Sequence, residues 1–377
     1  MKLMFLNGSR GEWGYIRPII DESIKQGIDY DLVATNMMLM SEHGYLVAQL
    51  ESQGYKIADK IQMAFSETDH FSFAKSMSVL LMSLVETIRR ERPSWLILAG
   101  DRGEQLVGAI AGAYTYTPVA HIQAGERSGN IDGVARHAIG KLVHLHFASN
   151  EDAGERLRKL GEEEKRIFCV GAPQLDEIIN AHVTTLEKLN KKFDMNLKNK
   201  PLLCVFHPVT EELNEIEKQT ENLLTALNEN ELQKICIMPN NDAGGRIVRR
   251  VIQDRRRSDS KIFDNLDRAD YLGLLKNCSA IVGNSSSGLL EAPSFETPCV
   301  NLGRRQANRV QGQNVLNGGF APDEIKTLVQ KATSNEFKAS LKGTKNPYGD
   351  GRSSKRILSI LKKTKIDQNL LIKDLTY

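Results

Sequence analysis

Short apolar runs alternate with longer amphipathic stretches along this chain. The apolar runs predict strands at Lys2–Asn7, Tyr30–Thr35, Trp95–Gly100, Val119–Gln123 and Leu145–Ser149. A second series is predicted at Leu202–His207, Ile235–Pro239, Ile262–Leu266, Ala280–Gly283 and Cys299–Leu302. Between them, apolar residues at helical spacing predict helices at Phe73–Arg90, Gln105–Tyr114, Ala153–Leu160 and Leu213–Leu227. Such alternation predicts α/β architecture, with parallel sheets covered by helices on both faces. The pattern comes in two sets, so two Rossmann-like, doubly wound domains are expected, residues 1–170 and 171–352. The joint between them is expected within 170–200, which holds Gly171-Ala172-Pro173 and the polar run Lys188–Lys200. A break at Asn346-Pro-Tyr-Gly-Asp-Gly351 precedes a last helix, Ser353–Lys363, and the segment 353–377 is expected to pack back on the first domain.

Composition adds exclusions. The 377 residues are 41% hydrophobic and 26% charged, enough chain for two cores. A net charge of +3 is too small to argue for a nucleic-acid or anionic-membrane partner. The Arg-rich stretch from Arg249-Arg250 to Arg255-Arg256-Arg257 reads as a solvated helix face. No apolar run reaches the roughly 18 residues that span a bilayer. The first residues, Met1 to Gly8, read as a strand and not as a signal peptide. The 5 cysteines form no CxxC pair, and Cys169, Cys204 and Cys236 lie in apolar runs. They read as buried thiols in a reducing cytoplasm, and no metal site is expected.

In doubly wound sheets, ligands bind beyond the carboxyl ends of the strands. Polar clusters follow the predicted strands at Asn7-Gly8-Ser9-Arg10-Gly11, Gly100-Asp101-Arg102-Gly103-Glu104, Gln123-Ala124-Gly125-Glu126-Arg127, His207-Pro208 and Pro239–Arg246. Their shared position predicts a single cleft faced by both domains. The most informative stretch is Gly283-Asn-Ser-Ser-Ser-Gly288, which follows an apolar run and precedes a helix-like segment. Backbone N–H groups and small hydroxyls there suit a diphosphate, and Glu291 suits ribose hydroxyls. An ordinary Ser-capped helix is the competing reading.

These segments together resemble the UDP-N-acetylglucosamine 2-epimerase family, in its hydrolysing branch of the kind that supplies sialic and legionaminic acid precursors. The matching stretches are Gly100-Asp101-Arg102, His121-Ile-Gln-Ala-Gly-Glu126, Gly129-Asn-Ile-Asp132, Arg136-His-Ala-Ile-Gly-Lys141, Val170-Gly-Ala-Pro-Gln-Leu-Asp176, Phe206-His-Pro208, Pro239-Asn-Asn-Asp-Ala-Gly244, Gly283–Gly288 with Glu291, and Asn301-Leu-Gly-Arg-Arg-Gln306. They run in register from the first strand to about residue 320. The resemblance implies the glycosyltransferase-B fold, with nucleotide held mainly by the second domain. It implies anti elimination of UDP, then addition of water to the 2-acetamidoglucal, giving N-acetylmannosamine. No cofactor is needed, the partner is a small nucleotide sugar, and a homodimer or homotetramer is expected.

By the same resemblance, Arg10 contacts UDP, His207 meets the phosphates, and Ser285 and Ser286 bind the diphosphate. Glu291 binds ribose, Arg305 contacts substrate, Asn240 and Arg246 lie on a nucleotide-side loop, and Tyr271 stacks on uracil. Asp101, beside Arg102, matches an essential acid near the sugar, and Asp132 a second catalytic carboxylate. Both are also placed to cap helices. A departure stands at Gln123, where many relatives carry a glutamate. Glutamine cannot exchange a proton, so Glu126 or Asp132 is the base if one is needed there. Gly14 and Gly133 replace a serine and an aspartate found in some relatives. The changed sugar side is consistent with a 4-acetamido-4,6-dideoxy sugar. The readings carried forward are hydrolysis of UDP-N-acetylglucosamine, the same chemistry on UDP-N,N'-diacetylbacillosamine, a non-hydrolysing epimerase, a glycosyltransferase of the same fold, and a silent UDP-sugar sensor. The segment Gly129–Ile139 resembles the hydrolysing branch, because non-hydrolysing relatives usually show Pro-Glu-Glu there.

Overall fold

The computed structural model describes residues 1–377 except 42–43, 64–69, 128–130, 181–182, 240–243, 265, 375 and 377. Seven strands form the first sheet: β1 (Lys2–Asn7), β2 (Asp29–Thr35), β3 (Ile57–Ile61), β4 (Trp95–Ala99), β5 (Val119–Ile122), β6 (Leu145–Ala148) and β7 (Ile167–Cys169). Their order is β3-β2-β1-β4-β5-β6-β7, with all pairs parallel. Six more form the second: β8 (Leu202–Val205), β9 (Lys234–Ile237), β10 (Ser260–Phe263), β11 (Ala280–Gly283), β12 (Cys299–Leu302) and β13 (Val315–Gly318). That sheet runs β10-β9-β8-β11-β12-β13, again all parallel.

The strand order reverses between β1 and β4 in one sheet and between β8 and β11 in the other. These are the points where crossover helices leave on opposite faces and open a crevice at the strand ends. Alternation along β1 explains the two-sided burial. Leu3 and Phe5 pack with Ile16, Ile19 and Ile20 on one face, and Met4 and Leu6 with Leu80 and Leu84 on the other.

The chain divides into two compact units, Met1–Glu177 with Tyr348–Tyr377, and Ile178–Pro347. The return of the chain has a clear cause. The helix Ser353–Lys363 places Ile357, Leu358 and Leu361 in the first core. Its first N–H groups are capped from a distance, Ser353 N at 2.8 Å and Ser354 N at 2.6 Å from the Asp176 carboxylate.

The units meet at Glu177–Ile178, within the expected 170–200 zone, and the polar run Lys188–Lys200 belongs to the second unit, where helix Leu186–Phe193 carries Leu189 into the core, joined by Met195 and Leu197. Other expectations are corrected. Strands β3, β7 and β13 were not expected; all three are sheet edges, short and partly polar. Cys169 lies on edge strand β7 and is exposed, whereas the other four cysteines are buried, and all five are free. Among the described residues one helix, Phe71–Glu91, is long and apolar enough by length and composition to cross a membrane, contrary to the expectation that no stretch qualifies. Its Leu80, Leu84 and Ile88 recur at helical spacing and pack into the first unit's core.

Candidate active site

In the first unit the predicted residues gather beyond β1, β4 and β5. Arg10 is the first residue of the helix Arg10–Lys25 and is exposed. Asp101 follows β4 and is not the cap of the next helix; Arg102 is the N-cap residue, without a side-chain capping bond. Asp101 instead pairs with Arg136, whose side chain is 3% exposed. The other arm of Arg136 donates to the Gln123 carbonyl at 2.7 Å. Gln123 sits at φ +60, a left-handed conformation uncommon for a residue with a Cβ. Its amide donates to Gln174 Oε1 at 3.2 Å. His121 holds the residue before Asp101, with Nε2 at 2.6 Å from the Gly100 carbonyl. Burial pushes this imidazole down to about 3, so it stays neutral and Nε2 is the donor.

Arg102 faces a buried pair of carboxyl groups. Its Nε is 3.5 Å from Glu104 Oε2, and its charge is also felt by Glu12 and Asp132. Glu12 accepts from the Gly8 N–H at 2.5 Å, and Glu104 accepts from Asn36. Burial, then the charge of Glu104, pushes Glu12 up to about 8. Gly8 leaves room for this pair, since a Cβ would stand 2.9 Å from Glu104 Oε1 and displace that side chain. Asp132 lies in the first turn of the helix Ile131–Leu142. Glu126 is buried and turned toward the end of β6, where Ser149 Oγ and, at 2.9 Å, Asn150 Nδ2 donate to it.

In the second unit the residues after β8 and β11 are tied together by Asn284. Its Nδ2 donates to the His207 carbonyl and its Oδ1 accepts from the His207 N–H, both at 2.8 Å. Its own carbonyl accepts from Arg305 at 3.2 Å and from Gln306 at 3.0 Å. Gly283 makes this approach possible at φ +134; a Cβ there would stand 2.2 Å from the Val205 carbonyl oxygen. Ser285 and Ser286 are partly exposed, and Ser285 Oγ accepts from Ser287 N at 3.3 Å. The helix that follows is only Ser287–Leu290, continued as a 3-10 turn at Ala292–Phe295. A single turn has little macrodipole, so local N–H groups and hydroxyls must carry any anion binding there.

Glu291 closes that turn, held by Ser287 Oγ at 2.7 Å and by Arg268. The Tyr271 hydroxyl donates to Ser287 at 2.5 Å while its ring packs against the second core. Arg246 is exposed in the first turn of Gly245–Asp254. Asn240 lies outside the described residues. No group of three His, Cys, Asp or Glu suited to a metal occurs among the described residues.

Residues 22–362 match the family model for UDP-N-acetylglucosamine 2-epimerase. A UDP-N,N'-diacetylbacillosamine 2-epimerase (hydrolyzing) of Legionella pneumophila is 35% identical over 99% of this chain and 98% of its own length. The chain belongs to the UDP-N-acetylglucosamine 2-epimerase family. A GDP/UDP-N,N'-diacetylbacillosamine 2-epimerase (hydrolyzing) of Campylobacter jejuni is 33% identical over 89% of this chain and 88% of its own. The crystal structure of UDP-GlcNAc 2-epimerase from Neisseria meningitidis bound to UDP-GlcNAc superposes with a TM-score of 0.84 at 20% identity, covering 97% of this chain and all of that one. The fold is therefore the family's two-domain glycosyltransferase-B type, each domain built on one of the parallel sheets described above.

Within this family member, several residues around the expected ones escaped sequence reading. Arg136 was visible in a motif, but its hydrogen bonds to the Asp101 carboxylate and the Gln123 carbonyl were not. Asn284, Ser287, Arg268, Gln174, His121, Glu12 and Glu104 are buried or half-buried polar groups. Many of their partners lie 16 to 77 residues away, as for Tyr271 with Ser287, Asn36 with Glu104 and His207 with Asn284, where no local spacing marks them.

Proposed function

We propose that this chain is a hydrolysing 2-epimerase of a UDP-linked 2-acetamido sugar, with UDP-N,N'-diacetylbacillosamine as its preferred substrate. The observation that carries the reaction class is the placement of two different chemistries at the two switch points. Carboxylates clamped by arginine lie beyond β4 and β5 of the first unit. A His207–Asn284–Ser285–Ser286 cradle, with Glu291 held beside it, lies beyond β8 and β11 of the second. The cradle takes the diphosphate and Glu291 the ribose; Arg305, bonded to the Asn284 carbonyl, adds positive charge.

In the proposed reaction a first-unit carboxylate removes the C2 proton as the anomeric C1–O bond breaks and UDP leaves. Water then adds, its hydroxyl to C1 and a proton to the opposite face of C2, giving the free 2-epimer. Asp101, positioned by its ion pair with the buried Arg136 guanidinium, is the first candidate to accept the proton. Asp132, near Arg102, and Glu126 are the remaining proton carriers. His207, beside the cradle, offsets charge growing on UDP.

The preference for the diacetamido sugar rests on Gln123, at whose position many relatives carry a glutamate, and on Gln174, which accepts its amide at 3.2 Å. Amides offer both donor and acceptor to a further acetamido group without a charge. The two most similar relatives named above carry that sugar in their names. The second reading, UDP-N-acetylglucosamine as substrate, is supported by the family match and by the Neisseria neighbour. The test is UDP release from both sugars under identical conditions, with wild type and Gln123→Glu. A kcat/KM ratio of tenfold or more for the diacetamido sugar, shrinking in the variant, supports the proposal. A ratio favouring UDP-N-acetylglucosamine overturns the preference and leaves the reaction class standing.

A further inference from the structure

One helical layer of the first unit is apolar on both of its sides. Helix Gly103–Tyr114 packs between helices Phe71–Glu91 and Ile131–Leu142. The inward side of this layer, with Leu80, Leu84, Val107 and Ile139, covers one face of the first sheet. The outward side carries Tyr114, Phe71, Met82 and Val134, with Tyr116 just beyond the middle helix. These five are the large hydrophobic side chains most open to solvent among the described residues, between 82% and 67% exposed. Single exposed hydrophobic residues are ordinary, but five gathered on three neighbouring helices form a patch.

The sequence of the layer has the same character. From Phe71 to Val85 the one charged residue is Lys75, and helix Gly103–Tyr114 has none besides the buried Glu104. A helix that is hydrophobic all round is normally covered all round. Yet only 33% of the most apolar stretch of Phe71–Glu91 is buried within the chain. Charge returns at the end of that helix, where Arg89 pairs with Glu86 at 2.6 Å and Arg90 with Asp59 at 3.1 Å. The face is thus an uncharged centre with a polar edge, the anatomy of an obligate protein interface.

Its size and chemistry select the occupant. At about 10 Å per helix diameter and 1.5 Å of rise per residue, the three helices present roughly 700 Å² in projection. A standard interface takes about 800 Å² of accessible surface from each partner, and a ridged helical face exceeds its projection. With almost no charge, the face offers nothing for a partner of opposite sign to read. A two-fold contact between identical uncharged surfaces has no like charges to oppose each other. A lipid surface fits less well, because membrane-surface helices line their polar face with Lys and Arg. Here the cations before Arg89 reduce to Lys75.

We propose that a second copy of this chain covers the face formed by helices Phe71–Glu91, Gly103–Tyr114 and Ile131–Leu142, related by a two-fold axis. The proposal does not rest on the reaction described above.

The test is sedimentation of the full chain at micromolar concentration, beside calorimetric titration of UDP and flotation with phosphatidylcholine–phosphatidylglycerol vesicles. Wild type should sediment as a dimer or a multiple of one. Met82→Glu combined with Tyr114→Glu alters positions already open to water in the single chain. It should dissociate at least tenfold more readily than wild type. Should that variant not fold, Phe71→Glu should act in the same way. Ile24→Glu, on an exposed residue of the helix Arg10–Lys25, should keep the wild-type mass. Monomeric wild type, whether or not it floats with vesicles, would overturn the proposal. So would folded face variants of wild-type mass, or equal dissociation in Ile24→Glu. The UDP titration reports separately on the cradle in the other unit, so failure of one reading is distinguishable from failure of the other.

Discussion

Arg136 joins Asp101 to the backbone of Gln123, holding the carboxylate with one nitrogen and the carbonyl, at 2.7 Å, with another. The guanidinium is almost wholly buried, so it sets both the charge environment of Asp101 and the left-handed turn that presents Gln123. A lysine has no planar fork and cannot serve both acceptors in this geometry. Arg136→Lys and Asp101→Asn should each lower kcat by about a hundredfold or more, the scale of lost acid–base help. UDP affinity should remain near wild type, because the nucleotide cradle is in the other unit. Turnover at the wild-type rate in Asp101→Asn would remove that residue from the chemistry.

Asn284 does for the second unit what Arg136 does for the first. Removing its amide frees both backbone groups of His207 at once. Asn284→Ala should therefore weaken UDP binding about ten- to a hundredfold, roughly 1.4–2.8 kcal/mol. Ser286→Ala and His207→Ala should each weaken it by about 1–3 kcal/mol, as for a charge-assisted hydrogen bond. Calorimetry checks all three, and unchanged affinity in the set would argue against the cradle.

Glu12 predicts a pH signature in stability. Its folded value, about 8, lies above the ordinary 4.5, so the folded protein holds this proton more tightly than the unfolded chain does. Stability from this group is full at acid pH, falls as pH rises from about 4.5 to about 8, and then levels off. Glu12→Gln mimics the protonated form and can still accept from Gly8. The melting temperature of the variant relative to wild type should rise across that window. Parallel pH profiles for the two proteins would show that Glu12 does not hold its proton above the ordinary carboxyl range.

The C-terminal segment is fastened by charge as well as by apolar packing. Arg166 is 2% exposed and donates to the carbonyls of Leu370 at 2.7 Å, Asn369 at 2.8 Å and Ile372 at 3.1 Å. Lys373 reaches the buried Glu162 at 2.5 Å. Arg166→Leu leaves several carbonyl oxygens without a donor and should cost about 3 kcal/mol or more. Denaturant unfolding would check this, and limited proteolysis of the variant should release the last residues first.

The strands at the middle of each sheet were legible because both faces are buried, which leaves an uninterrupted apolar run. β1 and β11 have the bounds that the apolar pattern predicts, as do β12 and the helix Ser353–Lys363. Edge strands β3 and β13 escaped for the opposite reason: Ile57–Ile61 contains Asp59 and Lys60, and Val315–Gly318 ends in Asn317 and Gly318. At the site, the loop residues after strand ends were visible as polar clusters. Residues that hold them, such as Asn284 and Glu104, act through contacts 77 and 68 positions away, which no local pattern records.

Incubation with UDP-N,N'-diacetylbacillosamine and UDP-N-acetylglucosamine in D2O, followed by phosphorus and proton NMR, tests the reaction most directly. A hydrolysing 2-epimerase releases UDP and a free sugar of inverted C2 configuration, carrying deuterium at C2. Release of UDP with hydrogen retained at C2, or UDP-sugar left intact while UDP itself binds, would contradict that chemistry.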